Sequence, residues 1–364
     1  MIKYRSPFPY FGGKSSVTNV VWPRFGPDVR NYVEPFAGSA AMLLARPIDN
    51  PQQYTETIND ASGYVANFWR AVAHAPEEVT MYADHPCNEN DLHARHSWLV
   101  RQDIVSRLEG DPGWFDAKIA GYWVWGMACW IGGGFCSGNG PWNSVDGHLV
   151  KTGESSGQGV CRQRVNLGWG QGVNRKRVSL GNSGRCVSRR CVHLGRGRGV
   201  QRKTVSLANG MNAGTGEQGL LAWMEALGER LRRVRVCCGD WNRVTGPSGT
   251  TVHGTTAVFL DPPYADTAGR DPDLYEQDSL TVAHDVRDWA LANGDNPKFR
   301  IALCGYDGEH EIPDSWECVA WKAHGGMSNK GEYNDNKTKE RIWFSPHCIK
   351  PEQNNQLALW DMNA

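Results

Sequence analysis

The sequence predicts an α/β fold, a doubly wound sheet with a long inserted region. Three observations carry this. Short apolar runs alternate with stretches of helical periodicity toward both ends of the chain. One of these runs, TAVFL at 256–260, is apolar throughout, as suits a strand covered on both faces of a parallel sheet. Between residues 76 and 216 the alternation stops, and part of that stretch consists of four copies of a short repeat.

Taken in order, NYVEPF at 31–36 reads as the first strand and runs into AGSA. YTETIN at 54–59 reads as the second and ends at Asp60. Tyr64, Val65, Phe68, Trp69 and Val72 then recur at helical spacing, which makes 61–75 an amphipathic helix. Leu220, Met224, Leu227 and Leu231 mark another helix, followed by a strand at 233–238. After 256–260, Val282, Val286 and Trp289 mark a helix, and FRIALC at 299–304 and RIWF at 341–344 are further strands. The α/β body is therefore expected in 1–75 and 217–350, with an insertion at 76–216 and a tail at 351–364.

Composition excludes several classes. The opening MIKYRSPFPYFGGK lacks the apolar core of a secretory signal. The longest uncharged stretch, 119–145, is broken by Gly121, Gly126 and three glycines at 132–134, so it is too short to span a bilayer. A buried helix carrying Trp123, Trp125 and Trp130 accounts for it better. The eleven cysteines include no CxxC pair, and reduced thiols in a cytoplasmic protein are expected. Cys87, His93 and His96 have no fourth ligand at zinc-like spacing, so no metal is expected.

The repeats fall at 160–168, 173–181, 187–195 and 200–208, on the template V-x-R-x-x-V-x-L-G with Ala closing the last copy. The second Val and the Leu are two apart and share one face of a strand. Such short units must stack on one another, so the block at 157–209 is expected to be ordered and β-rich rather than a Gly/Ser linker.

Acids follow several of the strands. Asp261-Pro262-Pro263-Tyr264 comes directly after 256–260, where an open parallel sheet presents its ligands. Glu34-Pro35-Phe36-Ala37-Gly38 follows the first strand, and a glycine there lets backbone approach a ligand closely. The spacing is not GxGxxG, so a nicotinamide dinucleotide is not indicated. Asp60 suits ribose hydroxyls, and Asp240 ends a third strand. Each acid alone also fits a helix cap or a turn. Phe11-Gly12-Gly13-Lys14-Ser15 is not a phosphate loop, because Phe8 stands where that motif needs glycine.

Together these segments resemble the D12, or Dam-like, class of DNA adenine-N6 methyltransferases, in the form carried by phages and prophages. PYFGGK at 9–14, VEPFAGSAA at 33–41, INDAS at 58–62, CGDW at 238–241 and DPPY at 261–264 are similar to its motifs in the same order. LCGYD at 303–307 and KERIWF at 339–344 are similar to its later strands, and 88–100 is similar to phage members. The resemblance covers about 1–75 and 217–350. It implies a Rossmann-like sheet that binds S-adenosyl-L-methionine (AdoMet) as methyl donor, with the insertion as target-recognition region. It implies catalytic roles for Asp261, Pro262 and Tyr264. Tyr10, Gly13, Lys14, Glu34, Pro35, Phe36, Gly38, Asp60, Asp240 and Asp261 would line the AdoMet pocket. The repeats are not part of the family's minimal pattern.

On this resemblance the substrate is an adenine flipped from double-stranded DNA, in a bacterial host cytoplasm. A cytosine-N4 methyltransferase would commonly carry Ser in place of Asp261, and relatives acting on glutamine or guanine carry Asn. A non-catalytic DNA-binding protein of the same fold is the remaining alternative, and the intact DPPY disfavours it. The charge distribution agrees with a DNA partner. The 39 basic and 39 acidic residues cancel, yet twelve basic residues and no acid lie in 155–216. Arg162, Arg164, Arg175, Arg177, Arg189 and Arg202 in the repeats are the candidate phosphate contacts.

Overall fold

A computed structural model describes residues 4–8, 10, 13–48, 53–130, 135–136, 142–145, 148–151, 217–263, 282–321 and 340–351. The basic repeat block, Tyr264 and the tail beyond residue 351 lie outside the described residues.

The first 75 residues contribute α1 (Thr18–Phe25), β1 (Asn31–Glu34), α2 (Ala41–Leu44), β2 (Thr55–Asp60) and α3 (Gly63–His74). Helices α4 (Pro76–Ala83), α5 (Glu89–Leu99), α6 (Val105–Gly110) and α7 (Ala117–Cys129) follow, then the hairpin of β3 (Trp142–Val145) and β4 (His148–Lys151). After the repeats come α8 (Glu217–Leu231), β5 (Val234–Cys238), α9 (Asn242–Thr245), β6 (Thr256–Leu260), α10 (Val282–Gly294), β7 (Phe299–Tyr306), β8 (Glu317–Ala320) and β9 (Glu340–Phe344).

Seven strands form one sheet in the order β5-β2-β1-β6-β7-β9-β8. The first five in that order are parallel, while β9 runs antiparallel to both β7 and β8. Counted along the chain, the sheet order is 3-2-1-4-5-7-6. It differs from the six-stranded dinucleotide-binding order by an antiparallel strand slipped in beside the fifth. The strand order reverses between β1 and β6, and the carboxyl ends of these two strands flank the crevice where such sheets bind ligands.

Alternation along each inner strand explains why their sequences are apolar throughout. Tyr32, Ala257, Phe259, Ala302 and Cys304 face one apolar cluster. Val33, Val258, Leu260, Ile301 and Leu303 face the other. The strand expected at 31–36 stops at Glu34, because Pro35 has no N–H to continue the ladder. The strand expected at 299–304 continues to Tyr306, carried on by its pairing with β9.

The helices after α3 share the first cluster with the sheet. Trp123 and Trp125 of α7 are buried there, as is Trp130 just beyond its end. Helix α7 lies close on α4 at Gly121, where a Cβ would stand 2.4 Å from the Tyr82 Cβ. Arg70 of α3 donates to the carbonyls of Asp111, Trp114 and Val236, joining α3 to the loop before α7 and to β5. Glu56 of β2 takes a bidentate pair from Arg230 of α8 at 2.6 and 2.8 Å, and Arg46 joins it at 3.2 Å. Among the described residues no helix is long and apolar enough to cross a membrane.

Candidate active site

Residues widely separated in sequence meet at the carboxyl edge of the parallel strands. Asp261 leaves the end of β6 and Glu34 closes β1, its neighbour in the sheet. Lys14, from the segment before α1, reaches over and places Nζ 2.8 Å from Asp261 Oδ1. The lysine is 4% exposed, a low value for an ammonium. Burial alone would lower its pKa. The Asp261 carboxylate and the nearby Glu340 outweigh burial, so Lys14 stays charged.

The neighbouring Glu34 has no such cation. Burial pushes its carboxyl up to about 8, and the charges on Asp261 and Asp60 add to the shift. The Tyr32 hydroxyl and the Leu43 N–H both donate to its Oε2, at 3.0 and 3.1 Å. Glu34 is therefore mostly protonated near neutral pH while Lys14 stays charged beside Asp261. Adjacent carboxyl groups with opposed environments are a mark of functional sites.

The loop after β1 is held in an unusual shape. Gly38 has φ +44°, and a Cβ there would lie 2.4 Å from the Tyr10 ring. Ala40, with φ 49°, is also left-handed. Three side chains, Asp60, Trp69 and Asn59, hold this shape. The Asp60 carboxylate accepts from Gly38 N at 2.8 Å and from Ser62 N at 2.9 Å. Trp69 Nε1 donates to the Gly38 carbonyl at 2.9 Å. Asn59 Nδ2 donates to the carbonyls of Pro35 and Gly239, tying the β1 and β5 loops together. Burial pushes the Asp60 carboxyl up to about 6, against these two N–H donors.

Phe36 stacks on Trp241 with ring centroids 6.4 Å apart, placing an aromatic pair between the β1 and β5 loops. Asp240, just before it, is exposed, and its Oδ1 accepts from Asn242 N at 2.9 Å at the start of α9. Gly13 is exposed and its N–H donates to the Tyr10 carbonyl.

Thus Tyr10, Gly13, Lys14, Glu34, Pro35, Phe36, Gly38, Asp60 and Asp261 gather around the β1 and β6 ends, with Pro262 beside them. Asp240 stands at the rim, engaged in its own turn. Tyr264 and all six candidate arginines lie outside the described residues. Sequence reasoning missed Asn59, whose signal was its place beside Asp60 at a strand end. It also missed Cys304, Trp321 and Glu340, which surround Lys14 from β7, β9 and the loop before β9.

The buried Asn59 Oδ1, without a hydrogen-bond partner, and the acids at this edge are groups that would suit the ribose hydroxyls and cationic sulfonium of AdoMet.

Residues 10–97 match the family described as D12 class N6 adenine-specific DNA methyltransferase. The matched stretch runs from Tyr10 through Lys14, Glu34 and Asp60 into α5, so it contains the resemblance first drawn from the motifs over that part of the chain. That family is one of transferase enzymes acting on DNA. No curated protein matched the chain.

Proposed function

We propose, for a chain whose residues 10–97 match the D12 class N6 adenine-specific DNA methyltransferase family, that its reaction moves the methyl group of AdoMet to N6 of an adenine flipped out of double-stranded DNA. The observation that carries this reading is the contact of buried Lys14 with half-buried Asp261 at the point where the strand order reverses.

AdoMet, when bound, supplies an electrophilic methyl carbon. The chain's residues do the rest. The N6 lone pair of adenine is delocalised into the ring, which makes the amine a poor nucleophile. The Asp261 carboxylate and the Pro262 carbonyl accept its two N–H bonds and draw the nitrogen toward tetrahedral geometry. The lone pair is then directed at the methyl carbon, and the same acceptors favour the positive charge that develops. Lys14 fixes the carboxylate through Oδ1, so its orientation is set before the base arrives. Asp261 need not act as a strong base, because the methylated amine is acidic enough to lose its proton afterwards.

The left-handed loop at Gly38 and the acids Asp60 and Asp240 would hold the donor, with Tyr10, Gly13, Pro35 and Phe36 around it. Flipping the base costs a few kcal/mol, and Tyr264 would offset part of that by stacking, worth ~1–3 kcal/mol. The basic repeats would neutralise DNA phosphates.

The test is transfer of labelled methyl from AdoMet to unmethylated DNA, followed by digestion to nucleosides. Label in N6-methyladenine is expected. Label in N4-methylcytosine, or none, would overturn the reading. Asp261→Ala is expected to abolish transfer and to leave AdoMet affinity within about threefold, since it removes an acceptor used in the transition state. Equal loss of both would assign Asp261 to cofactor binding or folding.

A further inference from the structure

Lys14 faces more than one carboxylate. Its Nζ lies 2.8 Å from Asp261 Oδ1 and 5.6 Å from the centre of the Trp321 ring. Trp321 in turn donates its backbone N–H to the Glu340 carbonyl at 3.2 Å. Glu340 is 8% exposed and opens β9 opposite Tyr306 of β7. Because β9 is antiparallel, its first residue lies at the carboxyl edge of the parallel strands, beside the site. Cys304, two residues before Tyr306, is fully buried among Asp261, Lys14, Glu340 and Glu34.

The charges around the ammonium are then countable. Burial, with the Asp261 charge next, pushes the Cys304 thiol well up, so it is neutral. Glu34 is mostly protonated near neutral pH. Asp261 and Glu340 are the two carboxylic residues whose charge acts on the buried ammonium. In a site of low dielectric, a lone lysine–aspartate contact at 2.8 Å would be the stronger hold, and an incoming amine would have to compete with it. A second carboxylate shares the cation and lessens that competition.

We infer that Glu340 is a positioning residue for methyl transfer: it anchors Lys14 as a second carboxylate, so that Asp261 can accept the adenine amine without losing its orientation. The inference rests on the proposed methyl-transfer reading. It assigns Glu340 an effect on turnover through Lys14, with no contact to DNA or donor.

The test uses the full chain with Glu340→Gln, Glu340→Asp, Lys14→Met and the Lys14→Met/Glu340→Gln double variant. Glu340→Gln is expected to lower kcat by roughly tenfold, with KM for DNA and AdoMet affinity within about twofold. Removing one anion favours the ionised form of the remaining acid, so the acid limb of the kcat–pH profile is expected to move to lower pH. Glu340→Asp is expected to restore most of kcat and the original limb. Once Lys14 is replaced, Glu340→Gln is expected to cost nothing further, because the two act as one unit.

A Glu340→Gln variant with unchanged kcat and pH profile would overturn the inference. So would parallel loss of kcat and AdoMet affinity with an unmoved limb, which marks a structural role. If Glu340→Gln does not fold, the double variant, which removes both buried charges, decides. Turnover below that of Lys14→Met alone shows independent effects and overturns the inference. A wild-type protein that transfers no methyl to DNA overturns the functional reading instead.

Discussion

Glu34 shows how a single carboxyl couples the site to folding. Burial raises its pKa from an ordinary 4.5 to about 8, so the folded state keeps a proton that the unfolded chain releases. Its contribution to stability is fully present below about pH 4.5 and is lost as pH rises toward 8. Asp60, raised from 3.8 to about 6, acts in the same direction over a lower range. His96 and His310 act oppositely. Burial lowers both from 6.5 to about 4, so their contribution is lost as pH falls below about 6.5. Among the described residues, the Glu34 effect therefore stands almost alone between pH 6.5 and 8. Denaturant titrations across that window are expected to show falling stability in the wild type and a flatter profile in Glu34→Gln. An identical slope in both proteins would show that Glu34 is already ionised in the fold.

At the scale of elements, the sheet is held to its covering helices by a few buried polar contacts. Arg230 of α8 forms a bidentate pair with Glu56 of β2, and the two side chains are 7% and 5% exposed. Arg230→Ala leaves Glu56 with the longer contact to Arg46, and a loss of about 3 kcal/mol is expected in urea unfolding. A loss below about 1 kcal/mol would mean that Arg46 alone satisfies the carboxylate. These contacts were not legible in the sequence, because each joins segments far apart in the chain. The inner strands were legible, since Val33, Val258 and Ile301 need apolar cover on both faces. The edge strand β8 was not, because it is only four residues long and none of them is fully buried. The same gap hid Glu340. RIWF marked a strand, but nothing in it gave the strand's direction, and direction alone carries Glu340 to the site. Lys14 and Asp261 could be named from motifs, yet their contact follows only from the order of β1 and β6.

For the whole molecule, the charge is divided by region. Residues 155–216 hold twelve basic residues and no acid, which leaves 27 basic against 39 acidic residues elsewhere. Deleting 157–209 is expected to flatten the dependence of DNA affinity on salt, by about 0.9 in log–log slope for each phosphate contact removed. An unchanged slope would show that phosphates are held elsewhere. The catalytic edge gathers Lys14 near the start of the chain, Asp261 far along it and Glu340 close to its end. On the proposed reading, a ribosome-bound chain therefore lacks a complete site until β9 has emerged and paired with β7. On the proposed function, a chain cut before β9 would keep the Gly38 loop yet lack the strand that brings Glu340 beside Lys14, so it is expected to turn over more slowly than the whole protein.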